Sequence, residues 1–394
     1  MASTRSLAVA CVLATAACAP RPSVSTTPNA RGATAAQQVV ALADDYLAGW
    51  RDGFPEVNTT NGIPGARHDR LSDNSAAAEQ AWRVKEDRWL EQMKRIDPAA
   101  LLGRPEWVTY GLLREELEAS IGMRACNYRV WNVSPMIGLF ASYVPLAQQQ
   151  PVGTEDLRAQ ALARWRTFPP FVDVEIANLR EGLRTGYSEP KVNVRRVIES
   201  ADRLLATTPT TSPFFVPAKA DSTAAFRQAY ERLVATDITP AVRRYRDYLA
   251  NEYLAAAREN VAITANPNGA ACNAASIRRY TTLAISPEEV FNLGSQLVAK
   301  AESTMRTITV ARYGTDDVRA AMRRARAESS ASFHSREEVV PAVEAILERA
   351  RQVMPRVFGI LPKAPLVGHR MPIIPIARIK NRYSISASSE RNLA

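Results

Sequence analysis

Apolar residues recur along most of this chain at spacings of three and four, the period that puts them on one face of a helix. In "AAQQVVALADDYLAGW" (35–50) the stripe is Val39, Leu42, Tyr46 and Leu47. "SAAAEQAWRVKEDRWLEQMKRI" (75–96) repeats it with Trp82, Trp89, Leu90 and Met93. Asp97-Pro98 then restarts a helix as cap and first-turn proline, and "PEWVTYGLLREELEASIG" predicts another that ends at Gly122.

Two stretches carry a helix-start signature of serine followed three residues later by glutamate. Ser286-Pro287-Glu288-Glu289 opens a helix with Val290, Leu293, Leu297, Ala301, Met305 and Ile308 on one face. Ser335-Arg336-Glu337-Glu338 opens a second, through Val339, Val343, Ile346, Leu347, Ala350 and Val353. Pro355 is expected to stop it, because proline lacks a donor and clashes with the preceding turn. Strand signals are few. "ACNYRVWNV" (125–133) mixes β-branched and aromatic residues over a short span, so any sheet is minor. Proline breaks at Ser134-Pro135, Pro169-Pro170, Pro213–Pro217 and Pro267 separate long helices, and no fixed-period repeat occurs. The pattern predicts a large all-α body around an extended core.

Composition agrees. Of 394 residues, 46% are apolar and 23% charged, enough for a sizeable core, and glycine is sparse at 17. The formal charge of +10 raises the question of nucleic acid. The arginine pairs 195-196, 243-244, 278-279 and 323-324 sit on helical segments that also carry Glu and Asp, so they read as solvated helix faces, with no nucleic-acid partner.

The first residues read as an export signal (1–18): "MASTRSLAVACVLATAACAP" has one arginine, an apolar run too short to span a membrane, and small residues before Cys18. Ala16-Ala17-Cys18 looks like a lipobox, with Thr15 where leucine is usual, which makes Cys18 the candidate lipidation site. The alternatives are plain periplasmic export and an apolar first helix. Ala19 after the cysteine resembles outer-membrane sorting. Residues 19–36, rich in Pro, Ser and Thr, read as a tether between a lipid anchor in the membrane and the fold. Cys11 lies in the signal, so Cys126 and Cys272 remain in the mature body. In an oxidising compartment they are a natural disulfide; two separate buried thiols are the other reading.

Local chemical signatures are missing. The three histidines, His68, His334 and His369, are far apart, so no helix presents two imidazoles as a zinc site requires. HExxH, GxSxG and phosphate-binding glycine loops do not occur. The polar constellation that remains is "GIPGARHDRLSDNS" (62–75), where His68, Asp69 and Arg70 either line a cleft or bond locally beside an Asp73 helix cap. "GYSEPKVNVRRVI" (186–198), with Tyr187, Asn193 and Arg195, is a second candidate wall, or an ordinary helix start.

Several of these segments together carry a resemblance: "HDRLSDNS", "PEWVTYGLLREELEAS", "CNYRVWNVSPM", "ARWRTFPPFVDVEIANLREGLRTGYSEPKVNVRRVIE", "SPFF", "RRYRDYLANEYLAAAR", "YTTLAISPEEVFNLG" and "PRVFGILPKAPL", in this order. Over residues 35 to 366 the chain resembles the bacterial domain-of-unknown-function 885 family. Many members look like exported lipoproteins, and the family resembles gluzincin zinc metallopeptidases of helical, carboxypeptidase-like fold. The resemblance implies the N-terminal part of a long-helix body with a deep cleft (37–366), a peptide substrate, and zinc held by HExxH and a downstream glutamate. Those zinc ligands and their general base find no counterpart here, so no catalytic or metal residue and no cofactor is assigned to this chain. From Val367 the text loses its periodicity and its resemblance, which reads as an aberrant or disordered tail (367–394) after a premature stop. The expectation is an envelope lipoprotein of peptidase descent, inactive as given, with poor solubility. Non-catalytic binding of a peptide or protein partner is the alternative, and a metal-free site around His68 and Asp69 a third.

Overall fold

The computed structural model describes residues 33–328, 333–363, 366–370 and 383–387, the last two segments as backbone. The signal with Cys18, most of the tether, and residues 371–382 and 388–394 of the tail lie outside the described residues. The chain divides into two compact units, 1–287 and 288–394.

The first unit is all-α. Its opening layer is α1 (Ala35–Gly53), the short α2 (Glu56–Thr60), α3 (Ala76–Lys94) and α4 (Glu106–Met123). Thr34 and Gln37 cap α1 reciprocally, at 3.3 and 2.9 Å, a box within the tether-like text. The predicted stripes pack as a core of Val39, Leu42, Trp89, Leu90, Met93, Leu113 and Leu117, although Leu47 stays exposed. Asp97 caps a single 3-10 turn, Pro98–Leu101. The cap of α3 is Ser75, whose Oγ accepts from the Ala78 amide; Asp73, expected in that role, instead accepts from the amide of Ser75 at 2.9 Å.

No strand forms at 125–133. Two 3-10 turns, Arg124–Cys126 and Tyr128–Val130, are joined by Asn127 in the left-handed region, φ 49°. The apolar content that suggested a strand is used instead by burial of Val130 and Trp131, and the Trp131 indole donates to the Cys126 carbonyl at 2.7 Å. The Cys126–Cys272 disulfide is present and ties this turn to the helix over Gly269–Thr281.

The larger core lies in α5 (Leu139–Gln148), α6 (Glu155–Arg166), α7 (Phe168–Arg184), α8 (Lys191–Leu205), α9 (Val216–Ala220), α10 (Ala224–Leu233), α11 (Thr239–Tyr248) and α12 (Leu254–Ala256). Trp165, Phe168, Phe214, Tyr230, Tyr245 and Tyr253 fill it. π-helical turns, Val234–Ile238 and Leu249–Tyr253, link α10, α11 and α12; the first precedes Pro240, whose missing donor relaxes the helical bond pattern there. α13 (Gly269–Thr281) closes the unit against α4, with Arg278 bonded to Glu115 at 2.7 Å and Arg279 to Glu116 at 3.0 Å.

The second unit contains α14 (Pro287–Tyr313), α15 (Val318–Ala327) and α16 (Val339–Val357). α14 begins at Pro287 as its sequence predicts, yet Leu293, Leu297, Met305 and Ile308 of the expected buried stripe are exposed. The box at Ser335 does not open α16: the helix starts at Val339, and Glu338 receives the backbone amide of His334 at 3.1 Å instead. Nor does Pro355 stop it, since α16 runs on to Val357; in a last turn the missing bond costs little. Two antiparallel strands, β1 (Leu366–Arg370) and β2 (Tyr383–Ala387), pair Leu366 with Ala387 and Arg370 with Tyr383.

A candidate ligand cleft beside Glu175

A cleft of about 520 Å³ in the first unit is lined by the end of α1 with Phe54 and Pro55, loop residues 70–75, one face of α3, the turn around Tyr128 and Arg129, and Glu175 of α7. Phe54, Trp82 and Tyr128 supply aromatic surface, and Asp52, Arg70, Asp73, Asn74, Glu79, Lys85, Arg129 and Glu175 supply polar groups. The close approach of α7 to the turn is set by Gly182. A Cβ there would overlap the Val130 carbonyl oxygen, so only glycine lets the two backbones touch.

The polar groups form one chain of bonds. Glu79 receives Arg83 at 2.7 Å and the Arg129 Nε at 2.6 Å. The same Arg129 donates to Asn178 Oδ1 at 2.6 Å, and Asn178 Nδ2 donates to the Asn74 carbonyl at 2.8 Å. Asn74 Nδ2 then donates to Glu175 Oε2 at 3.0 Å. Two arginines hold the Glu79 carboxyl below its ordinary range against the opposing effect of burial. Glu175 is the reverse case. Enclosed by protein on every side but the cleft, it is pushed up to about 7 by desolvation, which the Asn74 bond and the more distant Arg129 charge only partly offset. A carboxyl poised there changes charge near neutral pH, which suits it to hold or yield a proton or to receive a cation.

Of the loop residues expected at a site, Arg70 lines the cleft and bonds Asp52 Oδ1 at 2.5 Å. His68 and Asp69 are not among its lining residues. Buried His68 shares a 2.9 Å hydrogen bond between Nδ1 and Thr59 Oγ1, and its amide donates to Gln160 at 2.7 Å. Burial, with Arg164 nearby, lowers its pKa against the opposing charge of Asp69. Asp69 pairs with Arg67 at 2.6 Å. Arg164, fully buried, is the anchor of this loop: it donates to the Arg70 carbonyl, to Thr59 and to Gln150, at 2.9, 2.7 and 2.9 Å. Tyr187 is buried against Val130 and Trp131, Asn193 donates to Glu189 at 2.6 Å, and Arg195 is exposed on α8. These three do not join the cleft.

Glu175 and Arg129 were not singled out by sequence reasoning. The available signal was Glu175 on the inward stripe Phe171, Glu175, Asn178, Gly182 of α7, a charge at a core-facing position.

Among the described residues no three His, Cys, Asp or Glu side chains converge as a metal site requires. The zinc that the family resemblance implies is therefore not matched by the donors described, and no chemical step is derived through it.

The family described as "Bacterial protein of unknown function (DUF885)" matches residues 55–389. The chain belongs to this family. The match continues past Leu366, where the resemblance was expected to end, and takes in both β1 and β2 of this DUF885 member. Its fold is shared with a candidate lipoprotein from Colwellia psychrerythraea, with a TM-score of 0.72 and 18% identity. That alignment covers 84% of this chain and 61% of the Colwellia chain, so this chain spans about three-fifths of its neighbour's length. No curated protein matches.

Proposed function

We propose that this DUF885 chain is an envelope protein that holds a peptide or similar small polar ligand in the Glu175 cleft. The observation that carries the reading is a carboxyl without an ion-pair partner at the wall of a cleft lined by aromatic rings and hydrogen-bonding groups. Ligand sites combine such apolar surface with a few converging polar groups. Peptide hydrolysis is implied only by the gluzincin resemblance, and the binding role proposed here does not depend on it.

Crosslinking tests the binding reading. Short photoreactive peptides are incubated with the full chain and the adducts are mapped by mass spectrometry. Adducts on the segments 52–54, 70–85 and 128–132 are expected; uniform labelling, or labelling confined elsewhere, overturns the reading.

The cellular setting rests on the signal-like text before Cys18. We propose lipidation at Cys18 and exposure to the periplasm. No helix among the described residues is long and apolar enough to cross a membrane. Metabolic labelling with a fatty acid is expected to mark the wild type and not Cys18→Ala; equal labelling of both refutes the anchor.

A further inference from the structure

We infer that the cleft takes a ligand bearing two opposite charges, its primary ammonium received by Glu175 and its carboxylate by Lys85. This rests on the reading of the cleft as a binding site and adds the chemical class.

The assignment comes from which lining charges are already committed. Arg70 is bound to Asp52, and Arg129 to Glu79. Asp73 accepts from the Ser75 amide and is exposed, so water solvates its charge. Two partly buried groups remain. Among the described residues Glu175 accepts only the Asn74 amide, on Oε2, which leaves Oε1 without a donor there and the carboxyl without a cation at ion-pair distance. Lys85 makes no ion pair or hydrogen bond among the described residues and is half-buried at the same cleft. A desolvated carboxyl and an unpaired ammonium are costly to hold apart, and a ligand that neutralises both recovers that cost. Phe54, Trp82 and Tyr128 suit the alkyl stem of such a ligand and the approach of a cation to ring faces. Amino acids and short peptides carrying a lysine-like amine fit this description.

Binding should also be linked to protons. The groups facing Glu175 are Tyr143 from α5, Tyr245 from α11, and Arg129 from the turn, beyond which lies Glu79. Burial holds both tyrosines well above the ordinary phenol range, and arginine stays charged, so across neutral pH the group that titrates in this set is Glu175. An incoming ammonium displaces its proton.

Three probes test this by calorimetry on the full chain: Nα-acetyl-lysine, its methylamide, and Nα-acetyl-norleucine. The lysine ammonium is constant from pH 6 to 8, so any pH dependence comes from the protein. Nα-acetyl-lysine is expected to bind about tenfold more tightly at pH 8 than at pH 6, as a carboxyl near 7 ionises. The norleucine probe, which lacks the amine, should be weaker and flat with pH, and the methylamide weaker with its pH slope retained. Glu175→Gln should abolish the slope, and Lys85→Met should erase the preference for the free carboxylate. Because the norleucine comparison uses wild-type protein, a variant that fails to fold does not blunt the test. If the norleucine probe binds as tightly, or the slope survives Glu175→Gln, the charge assignment is overturned while the cleft remains a binding site. Binding by none of the probes, together with no crosslinks in the cleft, overturns both.

Discussion

Asn74 donates one amide hydrogen bond to Glu175, at 3.0 Å, and among the described residues no arginine or lysine stands at ion-pair distance from that carboxyl. The same asparagine amide also reaches the Phe171 carbonyl at 3.3 Å, so the loop 61–75 is pinned to α7 by a neutral group. Four residues earlier in that loop the opposite choice is made, since Arg70 meets Asp52. Glu175 is thereby left as an acid whose state depends on pH and on ligand.

The first consequence is a stability profile. With its folded pKa raised to about 7, Glu175 binds a proton more tightly in the folded chain than in the unfolded one. Its contribution is intact below the ordinary carboxylate range and is lost as pH rises toward 7 and beyond. Glu175→Gln, which preserves shape and keeps a hydrogen-bond acceptor, should stabilise the protein by about 1–3 kcal/mol at pH 8 and hardly at all at pH 4.5. That range is discounted from the full linkage value because the carboxyl keeps contact with water in the cleft. Urea melts at the two pH values check it, and an equal effect at both would contradict the raised pKa.

Gly182 offers a steric test. Gly182→Ala would normally favour a helix, but here its Cβ overlaps the Val130 carbonyl. The substitution should destabilise by about 2–4 kcal/mol, at or beyond the upper end of the overpacking range because the neighbour is backbone. It should also displace Arg129 from Asn178 and weaken ligand binding. Gly111→Ala on α4, where no atom lies within 4 Å of the added Cβ, is the control and should be neutral or mildly stabilising.

The Cys126–Cys272 bond joins residues 146 apart in sequence. In the chain-entropy account it contributes about 4–5 kcal/mol by restricting the unfolded chain. The double variant Cys126→Ala/Cys272→Ala should therefore melt well below the wild type. Hydrogen exchange should quicken first in α13, which otherwise relies on partly exposed ion pairs to α4. Unchanged exchange in α13 would mean that its packing alone is sufficient.

Arg164 is buried, with no carboxylate at ion-pair distance among the described residues, and donates to three acceptors: the Arg70 carbonyl, Thr59 and Gln150. Arg164→Met should destabilise by about 1–3 kcal/mol, because the buried Gln150 oxygen would lose its donor and the Arg70 carbonyl and Thr59 one partner each. Its distinctive readout is local: limited proteolysis should shift to the segment 61–72. A uniformly weakened fold with that segment still protected would argue against the anchoring role.

The helices of this protein were legible in the sequence because their cause is local. Periodic apolar residues, Pro287 at a helix start, and the scarcity of strand-forming runs define α1, α3, α4 and α14 without reference to anything distant, whereas Asp97-Pro98 opens only a 3-10 turn. Family membership was legible too, through ordered segments such as "HDRLSDNS" and "PEWVTYGLLREELEAS". The position of the chemistry was not. His68 and Asp69 looked like a site because they are adjacent polar residues in a loop, yet Arg164, nearly a hundred residues later, and Thr59 draw the histidine inward. Glu175 looked like one more helix charge until Asn74 and Arg129 arrived from other elements, and its pKa depends on how much water those neighbours exclude. Periodicity along one helix decides which face is buried. Desolvation and pairing depend on groups brought together from distant points of the chain, and only the tertiary structure decides those.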